Sequence, residues 1–68
     1  MTFFFYSFDC SEPTHIHVQR ENSICKFWLS PISLGKNRGF SPPELIAIRR
    51  IIETNLPDIL GAWHEHCG

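Results

Sequence analysis

The chain contains no long hydrophobic run, and none of its apolar stretches approaches the roughly 18 residues that a membrane-spanning helix needs. Its aromatic opening, residues 3–6 (FFFY), lacks the basic leader and the small-residue cleavage site of a signal peptide. From these absences we expect a soluble, cytoplasmic protein with no membrane association.

Cysteine is scarce as well, with three residues in the chain. Cys10, Cys25 and Cys67 cannot all pair within one chain, and no two of them have the two-residue spacing of a structural zinc site. We expect three reduced thiols in a reducing compartment.

Most enzyme classes find no support in the sequence. It has no Ser/His/Asp arrangement, no glycine-rich phosphate loop after a strand, and no pair of carboxylates at a useful spacing. We therefore treat enzymatic activity as uncertain, lean toward a non-enzymatic function, and expect no cofactor unless a divalent transition metal is bound.

The composition is that of one small globular domain covering residues 1–68, with 43% hydrophobic and 19% charged residues. A domain of this size buries only about 60% of the surface of its unfolded chain. Its stability therefore gains much from a partner subunit, a metal or a disulfide.

The first half of the chain predicts a three-stranded antiparallel sheet. Residues 2–8 (TFFFYSF) are β-branched and aromatic, residues 15–20 (HIHVQR) alternate apolar and polar, and residues 24–29 (ICKFWL) form a third strand. The short polar stretch 21–23 turns the chain between the last two strands, with Asn22 tolerating positive φ. We interpret residues 34–39 as a loop.

The second half predicts helices, which makes the fold class α+β. Ser41 caps a helix over about residues 42–54, with proline in its first turn and Glu44 placed to reach back to the cap. Pro57 removes a hydrogen bond from any continuous helix, so we expect a kink or break and a second short helix over about 57–66.

One face of the predicted sheet has no helix to cover it. If Ile16 and Val18 face the helices, His15 and His17 face away from them. The strand at 24–29 is apolar on both sides, so large apolar groups would reach the surface, and we expect a homodimer to cover them.

Charge is unevenly distributed along the chain although its net value is −1. Between residues 26 and 50 the chain has five basic side chains and a single acidic one, Glu44. A basic patch of this kind favours contact with phosphate or nucleic acid. The candidate contacts are Lys26, Lys36, Arg38, Arg49 and Arg50.

The most specific chemical pattern is His15-x-His17. Two imidazoles at this spacing on a strand project side by side, so they suit a transition metal or an acid–base pair acting on a phosphodiester. A metal site needs further ligands, and His64 with Cys67, three residues apart on the last helix, are the candidates. Two polar histidines on an exposed or dimer-buried face remain the structural alternative.

Several segments together resemble a known family. Residues 13–18 (PTHIHV), 26–29 (KFWL), 37–40 (NRGF) and 62–66 (AWHEH) look like those of the small proteins grouped as the domain of unknown function family 4160. The resemblance implies a compact α+β fold, a bacterial or phage source and, for some members, a toxin–antitoxin setting. It implies no catalytic residues.

Two functional hypotheses follow. The first is a small interaction module that dimerises and binds another macromolecule, a protein or a nucleic acid, as one partner of a toxin–antitoxin-like pair. The alternative is a small histidine-based ribonuclease or a metal-binding protein that uses His15 and His17.

Overall fold

A computed structural model describes all residues 1–68 and confirms the α+β class. An antiparallel sheet of four strands, which lie side by side in their order along the chain, is followed by two helices, and a single 3-10 turn, Asp9–Ser11, lies between the first two strands. The strands are Thr2–Phe4 (β1), His15–Arg20 (β2), Ser23–Leu29 (β3) and Ile32–Arg38 (β4), and the helices are Pro42–Thr54 (α1) and Leu56–Cys67 (α2).

The sheet has four strands where the sequence predicted three. The segment that we interpreted as a loop, residues 34–39, lies mostly in β4, which pairs with β3 on both sides of a register shift at Gly35. Its glycine, lysine and asparagine are poor strand formers, but an edge strand tolerates them, and charged side chains there discourage pairing with other chains. Gly35 packs closely against Trp28, because a Cβ atom at this position would lie 3.0 Å from the indole nitrogen and the indole would have to shift by a few tenths of an ångström.

β1 is shorter than predicted, ending at Phe4 instead of residue 8. The chain turns away from the sheet after Phe5, and the turn is closed by the Asp9 backbone N–H, which donates to the Tyr6 carbonyl over 3.1 Å. Residues 6–13 then cross the sheet before β2 begins, and we call them the crossing segment.

The hydrophobic core lies between one face of the sheet and the helices. Ile16 and Val18 from β2 pack with Ile48 and Ile52 from α1, and all four side chains are buried. The prediction that Ile16 and Val18 face the helices is therefore confirmed. The opposite face of the sheet is called the outer face below.

The predicted helix boundaries are confirmed with small shifts. Ser41 and Glu44 form the expected capping box at the start of α1, and Asn55 ends this helix before Pro57 enters the first turn of α2. Neither helix is long and apolar enough to cross a membrane.

The hairpin between β2 and β3 turns through Glu21 and Asn22, and the positive φ falls on Glu21, at 54°, not on Asn22. The left-handed region costs a residue with a Cβ atom about 1 kcal/mol, and glycine adopts it freely. We expect Glu21→Gly to raise the free energy of unfolding by roughly 0.5 kcal/mol, after part of the gain is offset by the flexibility of glycine in the unfolded chain. Urea unfolding measures this change, and Asn22→Gly, at the position without positive φ, should give no gain.

The expectation of three reduced thiols is wrong for this structure. Cys10 and Cys67, separated by 57 residues, form a disulfide that joins the crossing segment to the end of α2. Only Cys25 is a free thiol, and burial raises its pKa to about 11. Scattered cysteines gave no sequence signal for this bond, which depends on how the two ends of the chain meet.

Candidate functional site

One row of side chains across the strands on the outer face of the sheet is polar beyond its first member, Phe4. Cross-strand pairing places Phe4 beside His17, His17 beside Lys26, and Lys26 beside Lys36. Arg38 lies one row further along, opposite Ile24. An imidazole and three cations from separate segments of the sequence are thereby brought to one surface.

The crossing segment lies over part of this face and places two carboxylates against it. Asp9, in the 3-10 turn, reaches the imidazoles of β2, and Glu12 accepts a 2.6 Å hydrogen bond from the Lys26 ammonium. That hydrogen bond, with the charge of Lys26, holds the pKa of the Glu12 carboxyl below its usual value. The segment thus forms one wall of the site.

The buried centre of the site is a cluster of Asp9, His15 and His17. Asp9 Oδ1 lies 3.0 Å from His15 Nε2 and 3.3 Å from His17 Nε2, while Asp9 Oδ2 accepts from the Tyr6 N–H over 2.6 Å. Burial of Asp9 by itself would raise the pKa of this carboxyl, but the Tyr6 N–H and the two imidazoles outweigh burial and hold the pKa below its ordinary value. Asp9 is therefore an ionised carboxylate inside the fold.

His15 is fully buried, with no exposed surface, and is wedged between Trp28 and Trp63 at ring-centroid distances of 5.4 and 5.3 Å. Its Nδ1 lies 2.8 Å from the carbonyl oxygen of Pro13, which can only accept, so Nδ1 carries the proton. Its Nε2 is close to Asp9 but makes no hydrogen bond of acceptable angle. His15 lies on the face opposite Ile16, as the alternation predicted, but Trp63 of α2 covers it there, so the predictions that His15 faces away from the helices and is exposed to solvent or to a partner are wrong.

His17 is the accessible imidazole, 13% exposed, and it lies at the floor of a groove of about 640 Å³. The groove is lined by the crossing segment on one side and by Lys36 and Arg38 of β4 on the other. Because His15 does not reach this groove, the two histidines cannot act together as acid and base on one substrate.

Two aromatic side chains of the crossing segment border the groove. Tyr6 and Phe8 stack with their rings 5.1 Å apart and nearly parallel, and Phe8 is 71% exposed. Exposed stacked rings of this kind offer a flat surface to other planar groups.

The predicted phosphate contacts divide into two groups. Lys26, Lys36 and Arg38 line the groove, whereas Arg49 and Arg50 are exposed on α1, in the helical layer on the far side of the sheet. Arg49 lies 3.6 Å from Glu53, four residues further along the same helix.

The four predicted metal ligands do not form one site. Cys67 is bonded to Cys10 and has no thiolate to offer, and His64 lies in neither of the two clusters of ligand atoms in the structure. His66, which we did not predict, lies near that disulfide and hydrogen-bonds the Tyr6 carbonyl over 2.8 Å.

Asp9 is the residue of the candidate site that the sequence did not predict. It lies directly after the predicted first strand, residues 2–8, and no role was predicted for it. The sequence signal that could have identified Asp9 is a carboxylate six residues before His15. The intervening 3-10 turn brings this carboxylate back over the imidazoles.

Comparison with known proteins adds one match. The family model described as "Domain of unknown function (DUF4160)" matches residues 1–64 of this chain. No curated protein and no solved structure matches significantly.

Proposed function

The chain belongs to the domain of unknown function family 4160, and because membership assigns no activity we propose a function from the groove: the protein is a small binding module for single-stranded nucleic acid. The observation that carries this proposal is a pair of unneutralised cations, Lys36 and Arg38, facing an exposed aromatic stack. Modules that hold single strands combine these features, since cations contact phosphates and rings stack on bases.

The distribution of charge in the groove supports an anionic ligand. Lys26 and Lys36 are directly opposite each other on neighbouring strands, an arrangement that destabilises a sheet. Glu12 neutralises Lys26, but Lys36 and Arg38 form no ion pair. A phosphate backbone in the groove would offset this unbalanced charge.

Charge reversal in the groove tests the proposal. We expect Lys36→Glu with Arg38→Glu to weaken binding of a labelled single-stranded RNA by about tenfold or more, because two attractive interactions with phosphates become repulsive. The slope of log affinity against log salt concentration should become shallower by about 1.4, because each of the two phosphates that the protein no longer neutralises contributes about 0.7 to that slope. Fluorescence anisotropy across a salt series measures both quantities.

The matched control is Arg49→Glu with Arg50→Glu, which makes the same change in net charge on α1, away from the groove. The proposal requires this variant to bind nearly as the unaltered chain does. Equal loss in the two variants would show a general effect of charge, and no binding by the unaltered chain at low salt would overturn the proposal. Binding of acidic peptides but not RNA would make the ligand a protein.

Dimerisation and a role in a toxin–antitoxin-like pair are proposals that rest on the resemblance and on exposed apolar side chains. Leu34, Ile46 and Ile51 are each more than 40% exposed, which favours burial against another chain. Sedimentation equilibrium over a range of concentrations tests dimerisation. A single monomeric species throughout would remove it.

The cytoplasmic location is likewise a proposal, and the disulfide weighs against it. Bonds such as Cys10–Cys67 form and persist mainly in oxidising compartments. Alkylation of free thiols in denaturant at the moment of cell lysis, followed by mass analysis, tests the location. A reducing location requires three alkylated cysteines, and an oxidising one requires a single alkylated Cys25.

A further inference from the structure

We propose that Asp9, His15 and His17 form a binding site for one divalent transition metal ion of the zinc type. The proposal does not depend on nucleic-acid binding, because it rests on the geometry of the buried cluster alone. Two imidazole nitrogens and one carboxylate oxygen are a donor set that Zn²⁺ and its first-row neighbours bind.

The two separations between Asp9 Oδ1 and the imidazole nitrogens match those between neighbouring ligands around a metal ion. Asp9 Oδ1 lies 3.0 Å from His15 Nε2 and 3.3 Å from His17 Nε2, and all three side chains offer ligand atoms within 4.8 Å of one another. With bonds of about 2.1 Å, neighbouring ligands are about 3.0 Å apart in octahedral and about 3.4 Å apart in tetrahedral coordination.

The unpartnered nitrogen of His15 is the independent observation that points to an ion. The Nδ1 proton is held by the Pro13 carbonyl, so in the neutral ring Nε2 presents a lone pair toward Asp9. A lone pair facing a carboxylate in a fully buried position is unfavourable unless a cation lies between them. A hydrogen bond at the far nitrogen is also the usual way in which a metal-binding histidine is oriented.

Asp9 is oriented in the same way. The Tyr6 N–H binds Oδ2 over 2.6 Å, which places Oδ1 3.0 Å from His15 Nε2 and leaves both carboxylate oxygens within 3.3 Å of His17 Nε2. Each proposed ligand is therefore held by a backbone hydrogen bond or by packing. His15 is held by the Pro13 carbonyl and two tryptophans, and the His17 ring stacks on the Phe4 ring with their centroids 5.5 Å apart.

The remaining coordination positions would open into the groove. Asp9 and His17 both line it, whereas His15 closes the site from behind. Three protein ligands with an open fourth position are typical of sites where a metal binds water or an exchangeable oxygen ligand. The bound ion would then lie beside Lys36 and Arg38, within reach of an anionic ligand.

Metal titration of the oxidised chain tests the site. The protein is treated with a chelator, dialysed without reductant so that Cys10 and Cys67 stay paired, and titrated with Zn²⁺ against a chromophoric chelator. We expect one ion per chain, with binding weakened at least tenfold in His17→Gln and unchanged in the matched control His64→Gln, whose ring is exposed and outside the cluster. Circular dichroism verifies that both variants are folded.

A measurement on the unaltered chain keeps the test independent of any variant. Long-range ¹H–¹⁵N spectra resolve the ring nitrogens, and Zn²⁺ should shift Nε2 of His15 and His17 together while leaving His64 in place. Absence of any bound ion at micromolar free Zn²⁺, shifts confined to His64 and His66, or equal affinity in His17→Gln would overturn the proposal. The cluster would then be a buried ion-pair network that only holds the crossing segment.

Discussion

Replacing Cys10 and Cys67 by serine should lower the free energy of unfolding by about 4 kcal/mol. The bond closes a loop of 57 residues, and the entropy that it removes from the unfolded chain grows with loop length. For a domain of this size a loss of that order corresponds to a fall in Tm of roughly 20 °C. Urea and thermal unfolding, followed by tryptophan fluorescence, measure the change.

Reductant supplies the control for this prediction. In a reducing buffer the unaltered chain and the double serine variant should unfold at the same midpoint, because both then lack the bond. Titration with a thiol reagent gives a second measure. In the oxidised native chain no thiol should react, because Cys25 is 2% exposed and its pKa is about 11. In the unfolded oxidised chain one thiol should react. Identical midpoints in non-reducing buffer would contradict the prediction.

Much of the fold could be predicted because local patterns determined it. The alternation in residues 15–20 assigned Ile16 and Val18 to one face, and the capping residues Ser41 and Glu44 fixed the start of α1. β4 could not be predicted in this way, since its glycine and charged residues have no strand pattern and its position depends on pairing with β3. Propensity fails at edge strands because tertiary contacts decide them.

The candidate site was predictable only where its residues lie on one element. His15 and His17 share a strand, so their common face followed from the period of two. Asp9 and the disulfide depend on the path of residues 5–10 after β1 ends, and no periodicity describes an irregular segment. The same reason explains why the burial of His15 was missed: its cover comes from Asp9 and from Trp63, 48 residues further along the chain than His15.

Asp9→Ala is the second change for which we expect a large loss, about 3 to 5 kcal/mol in the free energy of unfolding. Removing one partner from a buried ionic network leaves the other groups without compensation. Here the Tyr6 N–H loses its acceptor, and His17 loses the carboxylate that lies 3.2 Å from its Nε2, beneath the crossing segment. Urea unfolding in metal-free buffer measures the loss without any contribution from a bound ion.

Glu12→Ala is the matched control, because Glu12 lies in the same crossing segment and contacts the same face through Lys26. This ion pair is exposed to water on the carboxylate side, so its removal should change stability little. Asp9→Asn should fall between the two variants, since an amide oxygen still accepts from Tyr6 but has no negative charge for the imidazoles. Losses of equal size in Asp9→Ala and Glu12→Ala would show that Asp9 is no more than a surface contact. A large loss of stability in Asp9→Ala but not in Glu12→Ala means that the buried cluster holds the crossing segment, which is one wall of the groove, against the sheet. The binding surface and the candidate metal site then depend on the same contacts.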